Sequence, residues 1–552
     1  GWCTWDAFYL TVNPGGIIEG VKGLVDAGFP PGFVIIDDGW QSISHDDDPI
    51  TKEGMNQTVA GEQMPCRLLS FGENYKFRSY VSSNNDKVSS NSGMKAFIKD
   101  LKNQFKTINY VYVWHALCGY WGGVRPEVPD LPESTLVSPV LSPGLRATME
   151  DLAVDKIVNT GIGLVPPEEA RQLFDGIHSN LANVGVDGVK VDVIHVLEML
   201  SEAYGGRVEL AKAYYTALNE SIRKHLNGNN VLASMEHCND FMYLGTEAIS
   251  LGRVGDDFWC SDGGGDPYWL QGCHVVHCAY NSLWMGNFIQ PDWDMFQSTH
   301  PCAGFHAASR AISGGPVYVS DGVGRHDYAV LKRLVLRDGS ILRAEGYGVP
   351  TRDCLFEDPL QDGKTVLKIW NVNKFTGVVG VFNCQGGGWS REERRNRRSS
   401  ECRRMLTCTV RTGDVEWKEG VDVEEYAVYT WREGKHRVVR RGEGVEVELG
   451  SLEYEVVSFA AVETAGKVKF AVVGLVNMYN GGGAVKEVEW GADWVKIMLK
   501  GDGEMVVYSS HYPTACFLDR TSATCRYDNC LLKIQVPWND LSCGFTVLEF
   551  IF

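Results

Sequence analysis

Residues 185–194 read GVDGVKVDVI, a valine-rich run that leads directly to the carboxylate of Asp192. A short apolar run of this kind is typical of a strand that is buried on both faces of a sheet. A carboxylate in such a place is costly to desolvate unless it is paired or used in chemistry. Residues 253–258, RVGDDF, place Asp256 after a second apolar run in the same way. Two carboxylates at strand ends are the minimum equipment for cleaving a glycosidic bond.

Similar short runs alternate with helix-like stretches on either side of this segment. The stretch 167–185 opens with proline and glutamate, as a helix N-terminus does, and the stretches 207–228 and 300–315 end on glycine. Eight strands that alternate with helices predict a (β/α)8 barrel. The predicted strands are Trp2–Trp5, Phe33–Asp38, Tyr110–Leu117, Gly188–Ile194, Val231–His237, Leu251–Asp256, Asn287–Phe296 and Gly315–Asp321.

Polar side chains gather at the carboxyl ends of these predicted strands, and in a barrel those ends meet on the face that carries the active site. A single aspartate there is equally consistent with a helix cap or a turn. That explanation does not account for acidic or aromatic residues at nearly every strand end. The residues concerned are Asp6, Asp37, Asp38, Trp114, His115, Asp192, Glu236, His237, Arg253, Asp256, Asp292, Asp294 and Asp321.

After about residue 350 the helical period gives way to alternating apolar and polar residues separated by turns, which predicts an antiparallel β-sandwich. We therefore predict a catalytic barrel over residues 1–350 and a C-terminal β-sandwich domain over residues 351–552. The chain begins at Gly1 and enters a strand-like segment at once, so we interpret it as a fragment that lacks upstream sequence. The Arg-rich run 390–404 contains glutamates and is interpreted as a solvated surface loop, with nucleic-acid binding as the alternative.

The composition narrows the classes of partner and location. A net charge of −18 over 552 residues argues against a nucleic-acid partner or an anionic membrane surface. No apolar run reaches the roughly 18 residues that a membrane span needs. The 16 cysteines form no CxxC pair, and many lie in apolar runs. This favours reduced thiols and a cytoplasmic location over a disulfide framework, although missing upstream sequence leaves a targeting peptide open.

Lys190 and Asp192 alternate along one predicted strand, so their side chains point to the same face. The ammonium group of Lys190 would keep Asp192 ionised, which suits a nucleophile, and could also bind a sugar hydroxyl. The alternative is an ordinary ion pair at the rim of the barrel. In RVGDDF, Asp256 and Asp257 are both candidates for the acid that protonates the leaving oxygen, and spacing alone does not separate them. Arg253 could orient that acid or bind a sugar hydroxyl.

Asp37 and Asp38 form a carboxylate pair that could accept hydrogen bonds from two sugar hydroxyls. A divalent metal is the alternative, but no further oxygen-rich ligand cluster lies nearby in sequence. We predict no metal and no cofactor. Tryptophans at strand ends offer flat apolar surfaces for sugar rings, with core packing as the competing role. They are Trp2, Trp5, Trp40, Trp114, Trp121, Trp259, Trp269 and Trp293.

Several long motifs resemble the plant raffinose synthase branch of glycoside hydrolase family 36. They are GWCTWDAFY, VIIDDGWQ, DGVKVDVIHVLE, GRVGDDFW, QPDWDMFQSTHP, ISGGPVYVSD and PTRDCLFEDPLQDGKTVLKIWN. The resemblance covers essentially the whole chain. It implies a retaining α-galactosyl enzyme with a further β-sandwich domain upstream.

The resemblance also implies roles for individual residues. The nucleophile falls on Asp192 and the acid/base on Asp256. The galactose-binding pair falls on Asp37 and Asp38, with Lys190 and Arg253 as further sugar contacts. Glu236 departs from the family pattern, since glutamine is more usual at this position, and it adds negative charge near the pocket. The remaining predicted substrate contacts are Trp5, Trp40, Trp114, Asp257, Trp293 and Asp294.

Three activities occur in this branch, and the sequence separates them in part. Stachyose synthases carry a long insertion after the motif that reads MPCRL here, and residues 64–68 run directly into SFGENYKFR without it. Alkaline α-galactosidases usually read SDDF where this chain reads GDDF. We therefore predict transfer of galactose from galactinol to sucrose through a covalent galactosyl-enzyme. Hydrolysis of raffinose-type sugars, stachyose synthesis and a catalytically inactive sugar-binding fragment are the alternatives.

Overall fold

The chain divides into two compact units in the computed structural model. The model describes residues 1–50, 53, 61–82, 92–139, 160–262, 264–390, 392–402, 404–417 and 423–552. The first unit comprises Gly1–Arg253, Asn287–Asp292 and Tyr318–Arg325. The second comprises Val254–Gly286, Trp293–Val317 and His326–Phe552. The predicted domain boundary at residue 350 stays a prediction.

A seven-stranded parallel sheet forms the first unit, and its strands follow one another in chain order. Each strand lies at one of the predicted positions. The strands are β1 (Trp2–Cys3), β2 (Phe33–Ile36), β3 (Tyr110–Ala116), β4 (Gly188–Asp192), β5 (Val231–Ala233), β6 (Ile249–Arg253) and β7 (Pro291–Asp292).

The eighth predicted strand lies beside the first. Trp2 and Val319 form a parallel bridge. The N–H of Cys3 donates to the carbonyl of Val319 at 2.9 Å, and the N–H of Val319 donates to the carbonyl of Gly1 at 3.1 Å. The prediction of a (β/α)8 barrel followed by antiparallel sheets is confirmed.

Helices separate the strands along the chain, and local signals explain their bounds. The N–H of Gly16 donates to the side chain of Asn13, which caps the first helix at its N-terminus. The third helix ends at Gly185, whose φ of +92° is the left-handed conformation that glycine adopts at a C-terminus. The helices are α1 (Pro14–Asp26), α2 (Gly93–Gln104), α3 (Ala170–Val184), α4 (Arg207–His225), α5 (Asn239–Leu244), α6 (Gln271–Met285) and α7 (Ala303–Ser313).

Several strands are shorter than the sequence predicts at their carboxyl ends. The ladder of β6 stops at Arg253 and that of β7 at Asp292, although the apolar runs continue past both. After β1 the chain turns at once into the short helix Trp5–Phe8. Asp192, Arg253 and Asp292 are the last residues of their strands, whereas Glu236, Asp256 and Asp294 lie beyond the sheet.

The C-terminal part of the second unit consists of antiparallel sheets, as predicted. In the strand Gly444–Leu449 buried valine and leucine alternate with exposed glutamate, which is the period of a sheet with one buried face. The six-stranded sheet has the order Val349–Pro350, Leu367–Val372, Thr376–Phe382, Tyr454–Ala461, Glu425–Thr430, Lys435–Arg440. One five-stranded sheet has the order Glu463–Ala465, Val468–Leu475, Gly503–Ser509, Leu531–Val536, Arg526–Asp528. The other has the order Val485–Trp490, Trp494–Lys500, Phe545–Ile551, Ala515–Leu518, Thr521–Ser522.

The Arg-rich run is a surface hairpin, as predicted. Its strands Gly388–Ser390 and Arg395–Arg397 pair in antiparallel fashion, and residues 392–395 are exposed. Arg391 and Arg403 lie outside the described residues. Arg398, just after the hairpin, donates to Asp262 at 3.0 Å. The 15 cysteines whose side chains the structure describes are free thiols. None of the described helices is long and apolar enough to cross a membrane.

Candidate active site

Asp192 is the last residue of β4, and its carboxylate is held at both oxygens. The indole N–H of Trp114 donates to Oδ2 at 2.9 Å, and the N–H of Val193 donates to Oδ1 at 2.8 Å. Val193 has φ of +57°, a left-handed conformation that is rare for a β-branched residue. Backbone strain of this kind clusters at functional sites, where the surrounding structure maintains it. The carboxylate is therefore both buried and oriented.

Lys190 lies on the same strand but forms its ion pair with Asp37. The distance from Nζ to Oδ2 of Asp37 is 2.7 Å, and the two side chains are 6% and 4% exposed. Burial is the largest single influence and would lower the pKa of Lys190, but the charges of Asp37, Cys3 and Asp192 together outweigh it, and the pKa is raised. The Cys3 thiol also donates to Asp37 Oδ2, at 3.3 Å. Lys190 on β4 thus places a buried ammonium group against Asp37, which follows β2.

Asp38 accepts hydrogen bonds from two aromatic side chains that follow β3. The hydroxyl of Tyr120 lies 2.9 and 3.1 Å from the two carboxylate oxygens, and the indole N–H of Trp121 donates at 3.0 Å. Burial raises the pKa of Asp38 to about 7, and these hydrogen bonds oppose the rise. The next residue, Gly39, has φ of +112°, and a Cβ there would lie 2.9 Å from the backbone of Leu10. Only glycine therefore allows the chain to turn here.

The predicted aromatic sugar contacts of the first unit differ in exposure. Trp40 and Trp114 are each 1% exposed, and the indole N–H of Trp40 donates to the carbonyl of Trp114 at 2.7 Å. Trp114 stacks on Trp121 with ring centroids 6.0 Å apart. Trp5 is half-buried and meets the ring of Tyr9 edge-on. Trp40 and Trp114 thus support the carboxylates, and a sugar contact by any of the three predicted residues stays a prediction.

Glu236 follows β5 and is fully buried. Neither carboxyl oxygen has a hydrogen-bond partner among the residues that the structure describes. Burial raises the pKa of Glu236 well above its usual range, which favours the protonated carboxyl, a hydrogen-bond donor. Nε of Arg253, at the end of β6, lies 3.7 Å from Oδ2 of Asp292. The same carboxylate oxygen accepts a hydrogen bond from the hydroxyl of Tyr318 at 2.7 Å.

Asp256 and Asp257 belong to the second unit, and both are exposed. The side chain of Asp256 is 76% exposed, and its Oδ2 lies 3.5 Å from Nδ1 of His277 on α6. The expectation that Asp256 is buried is wrong. Asp256 follows the end of β6 by three residues, and Gly255 is the residue that packs closely, since a Cβ there would lie 2.7 Å from Sγ of Cys278.

Asp294 holds the segment that follows these two aspartates. Its Oδ2 accepts the N–H of Phe258 at 2.7 Å, and its Oδ1 accepts the N–H of Met295 at 2.7 Å. Trp293 is fully buried, and its indole N–H donates to Ser282 at 3.3 Å. These contacts indicate positioning roles within the second unit. The predicted contact of either residue with sugar is not tested.

Some residues of the candidate site were not singled out by the sequence analysis. Tyr120 directly follows β3, so its place at a strand end was a usable signal. His277 lies within α6, and nothing local marks it as a neighbour of Asp256. Within the described ranges, no three or more His, Cys, Asp or Glu side chains form a group that could hold a metal ion.

Comparison with known proteins gives a consistent result over the whole length. A probable galactinol–sucrose galactosyltransferase 5 from Arabidopsis thaliana is 60% identical over 100% of this chain and 71% of its own length. A galactinol–sucrose galactosyltransferase from Pisum sativum is 59% identical with the same coverage. A stachyose synthase from Pisum sativum is 45% identical over 100% of this chain and 74% of its own length. The model of the family described as raffinose synthase or seed imbibition protein Sip1 matches residues 1–536, and the chain belongs to that family.

Proposed function

We propose that this protein is a retaining galactosyltransferase that moves galactose from galactinol to sucrose and forms raffinose and myo-inositol. The 60% and 59% identity to relatives named for this reaction, against 45% to the stachyose synthase, supports this donor and acceptor. The observation that carries the mechanism is the Asp192 carboxylate, which is 6% exposed and held at both oxygens. A nucleophile needs this combination of burial and orientation.

In the first step Asp192 attacks the anomeric carbon of the donor while Asp256 protonates the departing inositol oxygen. A covalent β-galactosyl-enzyme forms. Asp256, now a base, then takes the proton of a sucrose hydroxyl, which attacks and restores the α configuration. Asp257 remains the alternative acid/base, because both aspartates are exposed in the same loop.

The buried polar groups around Asp192 suit the recognition of galactose hydroxyls. Asp37 and Asp38 accept hydrogen bonds, whereas Lys190 and the protonated carboxyl of Glu236 donate them. Arg253 supplies a further donor. Each of these residues is no more than 5% exposed. Because these groups are buried, they have already lost most of their hydrogen bonds to water. A sugar whose hydroxyls match their positions supplies new hydrogen bonds, which favours selectivity for that hydroxyl pattern.

Transfer rather than hydrolysis requires sucrose to exclude water from the galactosyl-enzyme. Trp259 and Trp269 are candidates for the acceptor surface, because they meet edge-on at 5.6 Å and Trp259 is 47% exposed. The side-chain amide of Gln271 donates to the carbonyls of both tryptophans, at 2.6 and 2.8 Å. A cytoplasmic location and the absence of a nucleic-acid partner remain predictions from the free thiols and the net charge.

The first experiment follows the products. The protein is incubated with galactinol, with and without sucrose, and raffinose, myo-inositol and free galactose are quantified. We expect raffinose and myo-inositol in equal amounts when sucrose is present. Free galactose at the same rate with or without sucrose would identify a hydrolase instead, and binding of sucrose without any product would identify an inactive sugar-binding protein.

The second experiment separates the two carboxylates with azide and an aryl α-galactoside, whose leaving group needs no acid. In Asp192→Gly, azide attacks the face that Asp192 vacates and gives β-galactosyl azide. In Asp256→Ala, azide attacks the covalent intermediate and gives α-galactosyl azide. Asp257→Ala is the matched control, and rescue in that variant rather than in Asp256→Ala would move the acid/base role to Asp257.

A further inference from the structure

Helix α6 carries a thiol and an imidazole one turn apart, next to the proposed acid/base. Sγ of Cys273 lies 3.4 Å from Nε2 of His277, and Nδ1 of the same ring lies 3.5 Å from Oδ2 of Asp256. Residues four apart on a helix share a face, which explains the first contact. The second depends on the loop after β6. The imidazole thus lies between a sulfur and a carboxylate, an order that activates a thiol in nucleophilic sites.

The surroundings of the pair keep the thiol covered but within reach of a small reagent. Cys273 is 7% exposed, whereas the side chain of His277 is 41% exposed. The groups that face the pair are Asp256 and Cys384, and the backbone of Cys384 packs against Gly272. Cys354 lies near Cys384.

We propose that Cys273 is a reactive thiol whose reversible oxidation by a peroxide controls the galactosyl transfer that depends on Asp256. The thiolate sulfur attacks one oxygen of hydrogen peroxide, an S–O bond forms and the O–O bond breaks. Sulfur is oxidised, and the departing hydroxide takes a proton to become water. The product is a sulfenic acid, which an added dithiol reduces back to the thiol with loss of water.

The hydrogen bond to Asp256, followed by the contact with Cys273, raises the pKa of His277 to about 10. The imidazole is therefore protonated at neutral pH and places a positive charge 3.4 Å from the sulfur. An oxygen atom added to Sγ would occupy the space in front of Nε2. The ring would then move away from Asp256 and withdraw the imidazole contact of that carboxylate. This consequence for catalysis rests on the proposed function, whereas the reactivity of the thiol does not.

Labelling with iodoacetamide under native conditions, followed by peptide mass spectrometry, tests the reactivity. Cys302 is the matched control, because it is 5% exposed and burial raises its pKa to about 12. Exposed Cys543 serves as the reference. We expect Cys273 to react at least about tenfold faster than Cys302. His277→Gln should reduce the rate at Cys273 about tenfold and leave Cys543 unchanged.

A second measurement needs no variant. In the wild-type protein, hydrogen peroxide followed by a reagent that traps sulfenic acids should add the reagent at Cys273 and not at Cys302. Labelling of Cys273 at the rate of Cys302, no trapped sulfenic acid at Cys273, or an unchanged rate in His277→Gln would overturn the inference.

The effect on activity is measured with hydrogen peroxide. The transfer rate of the wild-type protein should fall and return with dithiothreitol, whereas Cys273→Ser should keep its own rate from before treatment. Equal inactivation of the serine variant would refute control through Cys273. A different outcome is that iodoacetamide labels Cys273 as expected while neither the wild-type protein nor Cys273→Ser transfers galactose before peroxide treatment. In that case the proposed function fails and the inference of a reactive thiol stands.

Discussion

The buried ion pair between Lys190 and Asp37 gives a prediction in which stability and activity separate. The pair is 2.7 Å long, and its side chains are 6% and 4% exposed. Removal of one partner leaves the other charge buried, which costs about 3–5 kcal/mol. We expect Lys190→Met and Asp37→Asn each to destabilise the protein by about this amount. At about 2–4 °C per kcal/mol, the midpoint of thermal unfolding falls by roughly 6–20 °C.

The double variant Lys190→Met/Asp37→Asn removes both charges and should regain most of this loss. Replacement of a whole buried pair by neutral side chains is often close to neutral. The interaction energy from the double-mutant cycle should therefore be at least about 3 kcal/mol. The control is Lys22→Met on α1, whose ion pair with Asp26 has side chains 57% and 61% exposed. This control should change stability by no more than about 0.5 kcal/mol.

Tryptophan fluorescence during heating is a suitable assay, because Trp40 and Trp114 lie in the same hydrogen-bonded cluster as Asp192. The double variant should unfold near the wild-type temperature yet transfer no galactose, since both proposed sugar contacts have changed. A single variant as stable as Lys22→Met would refute the costly buried charge. A double variant whose loss equals the sum of the single losses would refute the coupling.

Three further predictions concern neighbouring side chains. Trp114→Phe removes a hydrogen bond to the Asp192 carboxylate that is worth about 1.5–3 kcal/mol. The value of kcat should therefore fall about ten- to hundredfold while KM changes little. A change in KM alone would argue against a role of Trp114 in orienting Asp192. The folded-state pKa of Glu236 is raised, so the wild-type protein loses stability as pH rises above the unfolded pKa. Glu236→Gln should therefore gain stability relative to wild type as pH rises above the unfolded pKa, by up to about 1.4 kcal/mol per pH unit, and a pH-independent difference in thermal unfolding would contradict this. Tyr120→Phe removes a hydrogen bond that opposes the raised pKa of Asp38. The acidic limb of the pH profile of kcat/KM, expected near pH 7, should therefore move to higher pH. An acidic limb at the same or lower pH would show that Asp38 does not govern it.

Local patterns in the sequence were sufficient for the architecture. Short apolar runs indicated the positions of all seven strands of the parallel sheet and of the segment around Val319 that pairs with Trp2. Glycine signals indicated the ends of α3 and α7, whereas α4 ends at His225, three residues before the glycine predicted to end it. These features depend on residues that are close together in sequence. Side chains repeat every 2.0 residues in a strand and every 3.6 residues in a helix, and both periods can be read directly from a sequence. The carboxyl ends of β6 and β7 were placed too late, because hydrophobicity continues where the hydrogen-bonded ladder stops.

The partners of the site residues were decided by tertiary structure. The alternation of Lys190 and Asp192 was correctly read as one face of a strand, but the ion pair of Lys190 is formed with Asp37, 153 residues away in sequence. The hydrogen bonds of Tyr120 with Asp38 and the place of His277 beside Asp256 have the same origin. A sequence determines which side chains a strand or helix presents on each face. Which of them meet depends on how separate strands and helices pack, and contacts across that packing leave no period in the chain.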